Sequence, residues 1–473
     1  MTFPTSAAPA GLTPPADPRL RASATELLAL LRAGEVSAAE VLEAVLGRCD
    51  EIAGPVNPFA IRLDEQARAA AAESDRRIAN GTARPLEGLP VTAKDSQWLA
   101  GVPTTSGSRA RPGFVPAATL SCLRRVIDAG AVVFAKTTTS EFCYSGISTA
   151  PAFGVTANPH DLTRTAGGSS GGAAAQVAAY AGPVGLGGDG GGSIRIPAAF
   201  CGLVGHKPTF GLVGHEPSDP GWKTLVAVGP LTRTAADAAL LLDVLAGPDA
   251  RDRHSVHAAP EPARSGPLRV AVSEDLGFAA VDPDVRTAFR RAVDALAAAG
   301  AQIVPADPGL GSSVRDWAVI AAAEARWAQA HEYTARPGLL SPQVRDYLAF
   351  GETVTAERYI RAQFRREEIH RAYVDLFTAT GTSALFTPAL GCVAFDASRA
   401  YPERIGGVAV EEPWLDWAPF LYDANLAGLP ACTVPIGTGE GGLPVGGQLL
   451  GPRCSDRHLL RIAGLLSDAL DRH

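Results

Sequence analysis

The sequence predicts an α/β fold built around a largely buried sheet. Three observations carry this: strand-length apolar runs alternate with longer helical patterns, two serine–glutamate capping boxes open the first helices, and no linker divides the 473 residues. Residues 1–20 hold Pro4, Pro9, Pro14, Pro15 and Pro18 with few apolar anchors and are expected to form an irregular arm. Residues 21–473 are expected to form a single domain.

Each element follows from local chemistry. Ser23 and Ser37 precede Glu26 and Glu40 by three positions, the capping-box spacing, and Gly34 and Gly54 are placed to end those two helices. A third helix is predicted over 64–80, then a short strand over 89–94 that leaves Lys94 near a strand end. A helix over 119–129, a strand over 131–135, an alanine-rich helix over 173–181 and a buried strand over 184–186 come next. The second half adds strands over 268–272 and 302–304, helices over 282–299, 314–333 and 356–377, strands near Leu385, Cys432 and Val445, and a final helix over 456–470. The stretch Pro248 to Pro267, with four prolines, reads as a surface loop.

Composition narrows the function. Hydrophobic residues make up 46% and charged residues 19%, enough apolar material for a large core. A formal net charge of −7 without a lysine–arginine cluster argues against a nucleic-acid partner. Cys49, Cys122, Cys143, Cys201, Cys392, Cys432 and Cys454 are scattered, never in a C-x-x-C pair, and read as reduced thiols. The N-terminus has no basic start followed by an apolar run, and no apolar stretch would span a bilayer, so a cytoplasmic location without membrane attachment is expected.

Three glycine-rich patterns must be told apart. Gly185-x-Gly187-x-x-Gly190 matches the dinucleotide fingerprint by letter, but the residues after it, with Pro197 among them, do not support the long helix that fingerprint needs. Gly167-x-Ser169-x-Gly171 matches the nucleophile elbow of α/β-hydrolases, which requires a downstream histidine. His206, His215, His254, His257, His331, His370 and His458 are available, and none has a distinctive setting. His254 and His257 lack the partners of a zinc site. The other base is Lys94, at the end of an apolar run: burial disfavours its charged form and would let it accept a proton.

Pro90-Val91-Thr92-Ala93-Lys94-Asp95, Gly167-Gly168-Ser169-Ser170-Gly171-Gly172 and Asp189-Gly190-Gly191-Gly192-Ser193-Ile194-Arg195-Ile196-Pro197 together resemble the amidase signature family. The resemblance continues through 198–209, Gly229 to Thr234, Asn425 to Pro430 and Gly442 to Gly446, and covers nearly all of 25–470. It implies a large domain with a central mixed β-sheet covered by helices on both faces. It also implies a Ser–Ser–Lys triad with Lys94 as base, Ser169 as bridging serine after a cis peptide bond, and Ser193 as nucleophile. Backbone N–H groups of Gly190, Gly191, Gly192 and Ser193 would form the oxyanion hole. Asp189 and Arg195 would shape the nucleophile loop, with a supporting bond from Ser170. One departure is glycine at 190, where the family commonly carries a side chain such as threonine.

The implied reaction is hydrolysis of a small organic amide by water through an acyl-enzyme, with neither metal nor organic cofactor. Phe142, Cys143 and Tyr144 resemble a wall of the family's substrate pocket; Trp317, Trp327, Tyr333, Trp414, Trp417 and Tyr422 lie where pocket walls vary. Two alternatives stand beside a free-standing amidase: an esterase or α/β-hydrolase-like acyl hydrolase, and the A subunit of a glutamyl-tRNA amidotransferase. That subunit usually carries Ser-Ser-Leu-Asp ahead of the segment matching Gly229-Pro230, where this chain has Thr224-Leu225-Val226-Ala227-Val228. A homodimer is the family-level expectation.

Overall fold

The computed structural model describes residues 11–257, 266–411 and 416–472. Eleven strands form one sheet: β1 (Phe59–Arg62), β2 (Pro90–Lys94), β3 (Val132–Thr137), β4 (Val184–Asp189), β5 (Val204–Lys207), β6 (Ala227–Thr232), β7 (Arg269–Val272), β8 (Gln302–Pro305), β9 (Ala384–Pro388), β10 (Ala431–Thr438) and β11 (Pro444–Leu450). Their spatial order is β1-β3-β2-β4-β6-β5-β10-β11-β9-β7-β8. Strands β3, β2 and β4 run parallel, as do β9, β7 and β8, while the centre from β4 to β9 is antiparallel. The sheet is therefore mixed. Strands β2, β6 and β11 are buried at every position, so helices cover both faces.

Local signals account for most helices. Both capping boxes form, Ser23 with Glu26 and Ser37 with Glu40, opening helices Ala24–Ala33 and Ala38–Ala53. Gly34 closes the first in the left-handed conformation, but Gly54 stays right-handed, and the chain turns instead at Asn57, φ 54°. The proline-rich arm is not irregular to residue 20: Asp17 caps a short helix, Pro18–Arg21, with Pro18 at its first turn, where a missing N–H costs nothing. The stretch 314–333 breaks at Gln329 into Val314–Ala328 and Ala330–Ala335. Residues 1–10, 258–265 within the proline-rich loop, and Trp414 lie outside the described residues.

Strand β6 was hidden by Pro230, which argues against a central strand. Pro230 stands opposite Leu186 of β4, and the ladder to β5 covers only Leu231 and Thr232, so on that side the missing N–H interrupts nothing. The glycines of the false dinucleotide fingerprint lie along β4 instead of at a strand–helix turn. A Cβ on Gly185 would come within 2.8 Å of Ala173 O, and one on Gly187 within 2.9 Å of Ser170 Oγ. These glycines allow the helix Gly171–Ala178 to press against the sheet.

Candidate active site

Parallel strands β2, β3 and β4 end side by side at Lys94, Thr137 and Asp189, and the site is built at these carboxyl ends. Lys94 Nζ lies 2.6 Å from Ser169 Oγ and 3.4 Å from Gly188 O, with both side chains buried. Burial pushes the Lys94 ammonium below the usual lysine value, with Cys143 and Asp189 pulling weakly the other way. The Gly168–Ser169 peptide bond is cis. Ser169 Oγ is partnered by a lysine and not by a histidine, which sets aside the nucleophile-elbow arrangement.

The two serine clusters are tied together by Ser170. Its N–H donates to Ser193 O at 3.1 Å, and its hydroxyl donates to Gly188 O at 3.3 Å while accepting from Gly188 N–H at 3.2 Å. Ser148 adds an anchor, donating to Ser169 O at 3.3 Å and accepting from Gly171 N–H at 2.9 Å. Ser193 lines the same cavity as Lys94 and Ser169, but its Oγ makes no hydrogen bond to either among the described residues.

Asp189 and Arg195 form a fully buried ion pair at 2.9 Å. The Asp189 carboxylate accepts from Gly192 N–H at 2.7 Å, Ile194 N–H at 3.2 Å, two guanidinium nitrogens and Asn425 Nδ2. Burial alone would raise this carboxyl; the Arg195 charge and these donors hold it well below the usual carboxylate range. Arg195 is held in turn by Leu421 O, Gln448 Oε1 and Asn425 Oδ1 at 2.9, 2.7 and 2.6 Å. The expected four-donor oxyanion hole is corrected here: Gly192 N–H is committed to Asp189. The N–H groups of Gly190, Gly191 and Ser193 hydrogen-bond to nothing among the described residues.

Aromatic side chains close over the loop. A Cβ on Gly190 would sit 2.6 Å from the Trp222 ring, which explains glycine at this position. Trp317 Nε1 donates to Gly190 O at 2.7 Å and Trp222 Nε1 to Phe142 O at 3.2 Å. Phe142 and Cys143 adopt left-handed φ of 50° and 66°, held by bonds from their N–H groups to Ser106 O and Ser140 O. Phe142, Cys143 and Tyr144 do line the cavity; Trp317, Trp417 and Tyr422 line a second arm of it. Trp327 is 73% exposed and Tyr333 sits beside Glu352, so neither forms a wall.

Sequence reasoning missed several participants. Asn425 stood inside a motif noted only as resemblance, and Gln448 and Ser148 gave no signal at all. His215 was read as undistinguished, yet it lines the cavity, with burial lowering its pKa to about 4.

A buried lysine–serine pair thus lies beneath a glycine-rich serine loop at the carboxyl ends of parallel strands in a mixed sheet. The Amidase family profile matches residues 40–460, and the chain belongs to that family. It is 34% identical to a glutamyl-tRNA(Gln) amidotransferase A-type chain of Chloroflexus aggregans, over 94% of this chain and 95% of the relative. Among solved structures it superposes on a bacterial aryl acylamidase of the amidase signature enzymes with a TM-score of 0.89, at 26% identity over 96% and 97% of the chains. A 6-aminohexanoate cyclic dimer hydrolase gives 0.84 at 28% identity, over 95% and 97%. Among the described residues no helix is long and apolar enough to cross a membrane.

Proposed function

We propose that this chain is a free-standing amidase that hydrolyses the C–N bond of a small organic amide through an acyl-enzyme on Ser193. The 2.6 Å contact between Lys94 Nζ and Ser169 Oγ, in a buried site that lowers the lysine pKa, carries this reading. Neutral Lys94 takes the Ser169 proton as Ser169 takes that of Ser193, and the Ser193 oxygen attacks the carbonyl. The link from Ser169 to Ser193 tightens when substrate fills the cavity, as apo catalytic bonds commonly do. Developing negative charge is met by the N–H groups of Gly190, Gly191 and Ser193; each such donor typically lowers a barrier by about 3–4 kcal/mol. Ser169 returns the proton to the leaving nitrogen, and water cleaves the acyl-enzyme by the same relay. The relay needs no cofactor. We place the enzyme in the cytoplasm, as a homodimer without a nucleic-acid partner.

Relatives that carry the name of the amidotransferase's A-type chain support a second reading, in which the protein works inside a complex. One experiment separates them. The chain purified alone should hydrolyse amides and be labelled by a serine-directed phosphonate at Ser193, with both lost in Ser193→Ala. Co-purifying partner chains together with tRNA-dependent activity would replace the first reading by the second, and hydrolysis of esters but not amides would point to an esterase.

A further inference from the structure

The cavity at Ser193 has two arms of different chemistry. Ser193, Tyr144 and Trp222 line both. Lys94, Ser169 and Gln97 line only the first, and Trp317, Trp417 and Tyr422 only the second. This difference can be converted into an orientation for the substrate, on the footing of the Ser193 mechanism above. Ser169 must hand its proton to the leaving nitrogen, so that nitrogen lies on Ser169's side of Ser193, and Ser169 opens only on the first arm. We infer that the first arm receives the leaving amine and the second the acyl group, so that preferred substrates join an aromatic acyl group to an uncharged amine bearing a hydrogen-bond donor.

The first arm is built for a donor. Gln97 is 2% exposed; its Nε2 donates to Gly187 O at 3.1 Å, which fixes Oε1 as the acceptor, and Oε1 has no protein partner. Ser106, equally buried and lining the same arm, has an unpartnered hydroxyl that can answer the ligand's oxygen. Buried polar groups without partners are costly, and a ligand hydroxyl or N–H between them recovers that cost. The arm offers a charged amine no unpartnered carboxylate: Asp219, which reaches it, is paired with Arg111, which also holds Gln329 at 2.9 Å and Glu332 at 2.8 Å. His215, kept neutral by burial, adds no charge.

The second arm is walled mostly by aromatic side chains, with Ser145, Gly146 and Ile196 beside them. The Trp317 and Trp222 N–H groups are spent on backbone carbonyls, and both rings line the space. Trp317 lies 4.7 Å from Tyr422 and 5.9 Å from Trp222 between ring centroids, and Trp417 packs against Phe200 and Phe395 at 6.2 and 5.5 Å. A planar acyl group meets edges and faces in such a walled slot.

The test uses the full chain and four amides of similar intrinsic reactivity: phenylacetyl or acetyl on 3-aminopropanol or n-butylamine, in which a hydroxyl replaces a methyl. N-(3-hydroxypropyl)phenylacetamide should have the highest kcat/KM, at least about tenfold above either single change. Gln97→Met should bring the hydroxypropyl-to-butyl ratio close to one, and Trp417→Leu should shrink the phenylacetyl-to-acetyl ratio. Ratios within one protein are insensitive to how much of a variant folds. Equal rates for the four amides, an unchanged ratio in Gln97→Met, or preference for the reversed amide N-benzyl-4-hydroxybutanamide would overturn the assignment while phosphonate labelling of Ser193 still upholds the mechanism. Absence of both labelling and amide hydrolysis would instead bring down the mechanism itself, and this assignment with it.

Discussion

Arg195→Met tests whether the buried ion pair holds the nucleophile loop in shape. The guanidinium makes five hydrogen bonds, two to Asp189 and one each to Leu421 O, Gln448 Oε1 and Asn425 Oδ1. Methionine fills much of the volume and replaces none of them. Asp189 keeps its bonds from Gly192, Ile194 and Asn425 but loses the counter-charge bonded to it in a fully buried place, with only the more distant charge of Lys207 left to act on it. Breaking such a pair from one side costs about 3–5 kcal/mol. A chain of 473 residues unfolds with roughly 1 kcal/mol per kelvin of entropy, so Tm should fall by about 3–5 °C in calorimetry. Displacement of the 190–193 backbone should lower kcat by about ten- to a hundredfold, with KM moving less. Adding Asp189→Asn removes the stranded charge and keeps an acceptor for Gly192 N–H, so the double variant should regain at least half of the lost Tm. A single variant as stable and active as wild type, or a double variant no more stable than the single, would refute the argument.

Three further outcomes follow from the same geometry. Because burial lowers the Lys94 pKa and the relay needs the neutral amine, kcat/KM should rise as pH increases, and Lys94→Met should abolish both rate and slope; a flat wild-type profile would remove Lys94 as base. Gly190→Thr puts a Cβ 2.6 Å from the Trp222 ring, an overpacking worth about 1–3 kcal/mol, so activity and Tm should drop and be partly restored by adding Trp222→Ala. Lys207, lowered to about 7 by burial and the Arg195 charge, binds its proton less tightly folded than unfolded, so urea stability should rise as pH increases from 7 toward 8.5. Above about 9 the buried thiols Cys49, Cys122, Cys201, Cys392 and Cys432, all raised by burial, ionise first in the unfolded chain, and stability should fall again.

Elements whose signal is local were legible. Capping boxes located two helices to the residue, and apolar runs of strand length located β2, β3, β4, β7 and β8 within a few positions. Strands without a continuous apolar run were not legible: β5 reads Val-Gly-His-Lys, and β6 carries Gly229 and Pro230 in its middle. The helices Ala235–Leu245 and Pro342–Glu352 were passed over although Thr234 and Ser341 cap them, because neither has the glutamate that completes a capping box.

The site divides along a similar line, and the division has a physical origin. Ser169, Ser170, Asp189, Ser193 and Arg195 lie on two short segments whose glycines serve backbone approach, so their chemistry is written in adjacent letters. Residues that hold those segments come from far along the chain: Asn425 and Gln448 reach Arg195 across 230 and 253 positions, and Trp317 reaches Gly190 across 127. Nothing near them in sequence distinguishes an asparagine that braces a buried arginine from one that caps a turn. Even within the readable motif one donor was assigned wrongly, since the letters Gly-Gly-Gly do not reveal that the third N–H turns back to Asp189. The rigidity that keeps Gly190, Gly191 and Ser193 free to face a substrate is therefore supplied by Asp189, which spends Gly192 to brace the loop, and by Arg195, which carries that brace to the far end of the chain.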